Sequence, residues 1–322
     1  MARKSARFAI IACACIVAGV AAAQQHASTP PNEAQHYHLN VLASSSAFTS
    51  INHNDAKAAI TTWFDLMAKR RGFLVDSTVD ILDNVREIRE RLEAHSAELL
   101  ILTTADYLEL ESSHLAIPVL THALTTQGAA PYSYLLLVNP SSPATTVAGL
   151  RGKNILMFSR GGATTASVWM EVMLAKENMG RVASFFASAR VLEKGQECIL
   201  SLYFGKADAC VVDEVNFNMA KEMNPQLGQL RVLARSRPMI GSVIATSVEP
   251  FPGRIDVIDA ILALHTDPHG YQLLQLFKTE RVVRIQPGDL DSARALYSEY
   301  HRLPASASIS PKGSAPQPAL TK

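Results

Sequence analysis

The chain has 322 residues, 48% of them hydrophobic and 18% charged, with 30 basic against 29 acidic residues and a net charge of +1. Such a length exceeds one typical domain, and the apolar content suffices for two cores. The even balance of charge excludes the basic footprint that nucleic-acid binding demands and offers no attraction to an acidic membrane surface.

Residues 1–23 begin with the basic MARKSARF, continue with the apolar AIIACACIVAGVAAA and end on three alanines at 21–23. The apolar run is short for a membrane span and the alanines suit a cleavage site, so a cleaved export signal is expected. A lipoprotein anchor at Cys13 or Cys15, or a retained membrane anchor, is the alternative. Removal of the segment leaves 27 basic against 29 acidic residues, a net charge of −2. Cys198 and Cys210 then remain. In an oxidising compartment they can bridge, closing a small loop, yet both positions also suit buried apolar sites on a helix and a strand.

Residues 24–36, rich in Gln, Pro and Ala, read as a linker. HLNVLASSS (38–46) is a first strand running into a hydroxyl-rich loop that holds Ser46. A helix is predicted over 56–69, with Ile60, Trp63, Phe64 and Met67 on one face, ended by Gly72. A second strand at 73–81, a helix at 84–94, and a strand that turns into a helix at Thr103 and Thr104 complete a βαβαβ rhythm, which marks a parallel sheet with helices on its faces. Thr103 and Thr104 occupy the strand-to-helix turn where α/β sheets hold ligands, although a threonine there is also an ordinary helix cap. A strand from 114, a polar crossover at 125–131 and a strand to Val138 follow.

The second unit centres on GLRGKNILMFSRGGATTASVW (149–169). Ile155 to Phe158 reads as a buried strand, Ser159, Arg160, Gly161 and Gly162 break it, and a helix resumes at Ala163. The first turn of a helix carries unpaired N–H groups and a partial positive charge, so an oxyanion is its natural occupant. Ser159, Thr164 and Thr165 add hydroxyl donors, and Gly162 lets the backbone approach closely. The same hydroxyls also suit plain capping. A segment at 183–191, a helix at 196–204 and a strand at 209–213 follow, then RVLARSRPMIGSVIATS leads back to the first unit. Helices are predicted at 256–266, 270–278 and 290–300, and the tail at 304–322 reads as disordered.

PYSYLLLV with LRGK, the ATTAS turn, KADACVVDEV, LRVLARSRPMIG and LHTDPHGYQLL together resemble the phosphate/phosphite/phosphonate-type, PhnD-like periplasmic solute-binding proteins of ABC transporters. The resemblance covers about 39–303. It implies an α/β, two-lobed type II periplasmic binding protein, each lobe a mainly parallel sheet flanked by helices, with lobes joined by two crossovers. Lobe I would span 37–127 plus 240–303 and lobe II 128–239. It also implies that Thr164 and Thr165 grip the oxyanion, that Ser159 assists, and that Tyr132 stands near the interlobe strand. The family's GGHDAA turn becomes KGQECI, where Gln196 retains a donor and Glu197 replaces the Asp. Asp213 matches an acid that faces the ammonium of amino-bearing phosphonates, as Glu197 also can. Arg160 is unusual for the loop; it binds the oxyanion, pairs with Glu197 or lies in water.

The mature chain lacks H-E-x-x-H, G-x-S-x-G and S-x-x-K, and the ten histidines are scattered, so neither enzyme chemistry, a metal site nor a cofactor is expected. The expected protein is a periplasmic monomer with a small oxyanion ligand and an ABC permease as partner. A sensory subunit read by a membrane kinase or cyclase is the alternative.

Overall fold

The computed structural model describes residues 36–48, 51–71, 74–124, 131–159 and 165–304. The expected export signal, Gly72, most of the first crossover, the tail from 305, and Arg160, Gly162 and Thr164 lie outside the described residues.

The first unit contains β1 (His36–Ser44), α1 (His53–Arg71), β2 (Leu74–Leu82), α2 (Val85–Glu93), β3 (Leu99–Thr103), α3 (Thr104–Glu111) and β4 (Ala116–Ala123). The second contains β5 (Tyr134–Val138), β6 (Asn154–Phe158), α4 (Thr165–Lys176), α5 (Val182–Phe185), β7 (Ser188–Leu192), α6 (Gly195–Tyr203), β8 (Ala209–Asp213), α7 (Glu214–Met223) and β9 (Arg231–Arg235). The chain then returns through β10 (Ser242–Ser247), α8 (Arg254–Leu262), α9 (Pro268–Leu276), β11 (Arg281–Arg284) and α10 (Asp291–Arg302).

The strands form two sheets, ordered β11-β4-β10-β3-β1-β2 and β7-β6-β8-β5-β9. Among the described residues, four of the six strands in the first sheet run one way, with β10 and β11 reversed. In the second, four of the five do, with β5 reversed. β5 and β10 are each the first strand after a crossover, so each enters its new sheet from the opposite end. The remaining strands are linked by helices, which parallel pairing requires.

Alternation along the strands explains why both sheets are covered on both faces. In β1, Leu39, Val41 and Ala43 pack with Ile60, Trp63 and Phe64 of α1, while Leu42 packs with Ile88 and Leu92 of α2. In β5, Tyr134, Leu136 and Val138 face the α4 side and Leu135 and Leu137 the α6 side.

The sequence reading assigns no element at α7 or β11, and it leaves α5, β7, β9 and β10 inside segments of unassigned type. α7 presents only Phe217 and Ala220 as buried residues, too few for a visible apolar period, and β11 has four residues. α10 also extends beyond the first unit. Its Ala293, Leu296 and Tyr297 join the core of the second sheet beside Val168 and Trp169 of α4, while Arg294 pairs with Glu111 of α3 at 2.7 Å.

Cys198 of α6 and Cys210 of β8 form a disulfide, with Cα atoms 6.0 Å apart and both side chains buried. The bridge fixes α6 to the face of its sheet. A loop of this size removes about 3 kcal/mol of chain entropy from the unfolded state. Reduction is therefore expected to lower the unfolding free energy by about that amount in urea titrations, and equal midpoints for the oxidised and reduced proteins would contradict it.

Candidate functional site

A cavity of about 760 Å³ lies between the two sheets. Thr103, His122, Gly241 and Ser242 of the first unit line it, as do Phe158, Lys194, Gly195, Gln196, Glu197 and Asn216 of the second, with Tyr132 from the crossover. The position follows from strand direction. β3 ends at Thr103, β6 at Phe158 and β7 at Leu192, so the carboxyl ends of parallel strands open on the cavity, where α/β sheets hold ligands. The helices that follow β3 and β7, α3 and α6, begin there, at the end of a helix that carries the first-turn amides and the positive end of the peptide dipole.

Side chains treat these helix starts differently. Thr103 caps α3, its Oγ1 accepting from Asp106 N at 3.2 Å and donating to Asp106 Oδ2 at 2.7 Å. Asp213 caps α7, its Oδ1 accepting from Asn216 N at 2.7 Å. At α6, the N-cap residue Lys194 makes no side-chain cap. The opening turn of α6, from Lys194 to Glu197, lines the cavity without that protection.

Gly195 is required by its neighbour. A Cβ there would stand 2.7 Å from Asn216 Cγ and 2.8 Å from Asn216 Oδ1. Asn216 is itself fixed, because its Nδ2 donates to Asp213 Oδ1 at 3.0 Å and Oδ2 at 2.8 Å. Asp213, Asn216 and Gly195 thus lock the starts of α6 and α7 against each other. Gly241 plays a similar part on the opposite side, since any Cβ there would overlap the hydroxyl of Tyr132.

Of the residues singled out in the sequence, Thr103, Tyr132, Gln196 and Glu197 come together as lining residues. Ser46 hydrogen-bonds the Asp106 carboxylate and Ser44. Thr104 Oγ1 donates to Ile240 O at 2.8 Å, and Thr165 Oγ1 lies 2.9 Å from the Tyr297 hydroxyl. Ser159 is buried, its N–H donating to Leu192 O at 2.9 Å. Asp213 is fully buried at the head of α7, engaged with Asn216. None of these five is among the lining residues. Burial pushes the Tyr297 phenol up to about 12, against a lowering by the hydrogen bond to Thr165, and burial likewise raises Tyr134 well above its usual range. Both stay protonated at neutral pH.

Lys194, Asn216, His122 and Ser242 were missed. Asn216 follows Asp213 at the spacing of an N-capping pair, the one local signal available. His122 Nδ1 and Ser242 Oγ are 3.0 Å apart across β4 and β10, a pairing of residues 120 apart that no local pattern reveals. Among the described residues, no group of three or more His, Cys, Asp or Glu side chains is placed to hold a metal ion.

Two α/β sheets joined by crossovers, with helix starts converging on the cavity between them, define a type II periplasmic binding protein. Residues 46–290 match the family described as "ABC transporter, phosphonate, periplasmic substrate-binding protein", and the chain belongs to it. Membership makes it a periplasmic substrate-binding component of an ABC transporter, with a small ligand and a membrane permease as partner; the family is not enzymatic. No curated protein matches the sequence. Among solved structures, XAC2383 from Xanthomonas citri bound to ATP is 16% identical with a TM-score of 0.58, over 83% of this chain and 98% of that one. PhnD1 from Prochlorococcus marinus in complex with methylphosphonate is 13% identical with a TM-score of 0.55, over 83% and 99%. A binding protein component of an ABC phosphonate transporter from Pseudomonas aeruginosa, PA3383, is 13% identical with a TM-score of 0.53, over 83% and 87%. At these identities the likeness is one of fold.

The contact at Gly195 gives a direct test of the lock. Gly195→Ala is expected to cost about 1–3 kcal/mol by forcing Asn216 off Asp213, read as a lowered melting temperature. An unchanged melting temperature would mean that Asn216 yields freely.

Proposed function

We propose that the chain binds a small oxyanion, phosphate, phosphite or phosphonate-like, in this cavity, and that two lobes close over it and present the closed form to the permease. The lobes would be 37–127 with 240–303, and 128–239, exported by the segment 1–23 and working as a monomer. The observation that carries this is the opening turn of α6, which enters the cavity with no side-chain cap from Lys194, opposite Thr103 at the head of α3 in the other unit.

An oxyanion in that position accepts N–H groups from α6, the Gln196 amide and the charge of Lys194. A contact on the opposite wall, at Thr103 or the Tyr132 hydroxyl, exists only when the units approach, so the ligand stabilises the closed arrangement. The resemblance adds Ser159, Arg160, Gly162, Thr164 and Thr165 as oxyanion contacts to this proposal, for which Thr165 would have to leave the Tyr297 hydroxyl. Glu197, on the cavity wall, faces an ammonium group where the ligand carries one. The near-neutral charge of the chain agrees with an anion site built from aligned backbone dipoles.

A thermal-shift series with phosphate, phosphite, methylphosphonate, aminoethylphosphonate, sulfate and acetate tests this. At least one phosphorus oxyanion is expected to raise the melting temperature, with about 2.7 kcal/mol of stabilisation at a hundredfold excess over Kd. Lys194→Glu places an anion at an exposed helix start, where it suits the helix dipole and repels the ligand. It should weaken binding at least tenfold; a full ligand response in this variant would move the site away from α6.

A further inference from the structure

We infer that the ligand of this cavity carries a hydrocarbon group beside its oxyanion head, so that the preferred substrate class is an alkyl- or aryl-bearing phosphonate or phosphate monoester of about 12 Å head-to-tail length. This deepens the oxyanion proposal and rests on it.

Three observations converge. First, the volume of about 760 Å³ falls in the range that holds drug-sized ligands, far beyond the needs of an ion with five heavy atoms. Second, apolar side chains on both walls are left incompletely buried around the cavity. Ile51, Ile101 and Phe277 contribute from the first unit, and Leu200 and Phe204 from the second; Phe204 is 68% exposed. A water-filled cleft for a bare ion gains nothing from such a lining, whereas a hydrocarbon group covered by it is stabilised at about 25 cal/mol per Å². Third, Trp63 on the same first-unit wall is 4% exposed, and its indole N–H has no hydrogen-bond partner. A buried donor in that state marks a wall that the protein's own groups do not complete.

The geometry of α6 orders these parts. Gln196, Leu200 and Phe204 stand at i, i+4 and i+8, on one helical face. The polar residue lies at the N-terminal turn and the two apolar residues follow along the axis, spanning about 12 Å at 1.5 Å per residue. All three line the cavity. A ligand with its head at Gln196 would lay its tail along Leu200 and Phe204, opposite Ile101 and Phe277.

Titration calorimetry on the mature protein with phosphate, methyl-, butyl- and octylphosphonate, octyl phosphate and 1-octanol tests the assignment. Affinity is expected to rise roughly fourfold per buried methylene, to at least 50-fold between methyl and octyl, with an increasingly negative heat-capacity change. Octyl phosphate should match octylphosphonate, since head and tail are shared. Phe204→Ser, at an exposed position that does not endanger the fold, should cut the octyl-to-methyl affinity ratio at least fivefold. Equal affinity from methyl to octyl overturns this inference and leaves the oxyanion proposal standing. Octanol binding as tightly as octylphosphonate overturns it too, because the head would then contribute nothing. If no phosphorus oxyanion of any length binds, the oxyanion proposal falls with it.

Discussion

Residues 236–241 hold the two sheets in register with each other. Tyr134 N donates to Ser236 Oγ at 2.8 Å and Ser236 N to Tyr134 O at 2.9 Å, while Tyr132 and Met239 exchange two backbone hydrogen bonds of 3.0 Å each. On the opposite side, Thr104 donates its hydroxyl to Ile240 O and its N–H to Gly241 O. The same short segment therefore grips β5 of one unit and the head of α3 in the other. Each bond contributes about 1 kcal/mol net, but a buried donor left without its acceptor costs more, so the set resists piecemeal loss. The consequence is positional. Thr103 and Tyr132 are carried to one side of the cavity, and β8, paired with β5, brings α6 and α7 to the other.

Three helix starts thus face one space, and their chemistry differs. α3 and α7 spend a first-turn amide on Thr103 and Asp213, whereas α6 has no such cap from Lys194 and begins on a glycine that cannot carry a side chain there. A positive dipole end whose first amides are not capped by a side chain is where an anion gains most, and Glu197 in the same turn offsets part of that charge unless the ligand also carries an ammonium group. The disulfide and the Asp213–Asn216 pair are what keep that start from drifting. Preorganisation of this kind spares a ligand the cost of ordering its own donors.

The fold was legible in the sequence to the extent that it is written in local periods. The βαβαβ rhythm of the first unit and the buried strand at 155–158 have strong apolar patterns, and β1, α1, β3 and β8 fall within a few residues of their expected places. α7 escaped because its apolar face is two residues wide. Thr103 was legible as a strand-to-helix residue, and it proves to be both a cap and a wall of the cavity. Thr104 has the same local sequence signal, yet its hydroxyl is committed to Ile240, 136 residues away. Leu200 and Phe204 show a helical spacing that normally means core, and only the placement of α6 beside the cavity separates them from Ile199 and Leu202, which are fully buried on its other face.

α10 limits how the proposed closure can proceed. One face of it is bound into the second unit along most of its length, where Tyr297 meets Thr165, Lys176 reaches Glu299 at 2.6 Å, and Ala293 and Leu296 are buried beside α4. Its link to the first unit includes the fork of Arg294 on Glu111, with three contacts of 2.7 to 3.0 Å, on groups partly open to solvent. A partly exposed ion pair exchanges with water at small cost, while a buried phenol and its apolar neighbours do not. Under the proposed closure the Arg294 contact is the one that can be remodelled, so α10, although its residues fall in the stretch 240–303 assigned to the first lobe, would travel with α4.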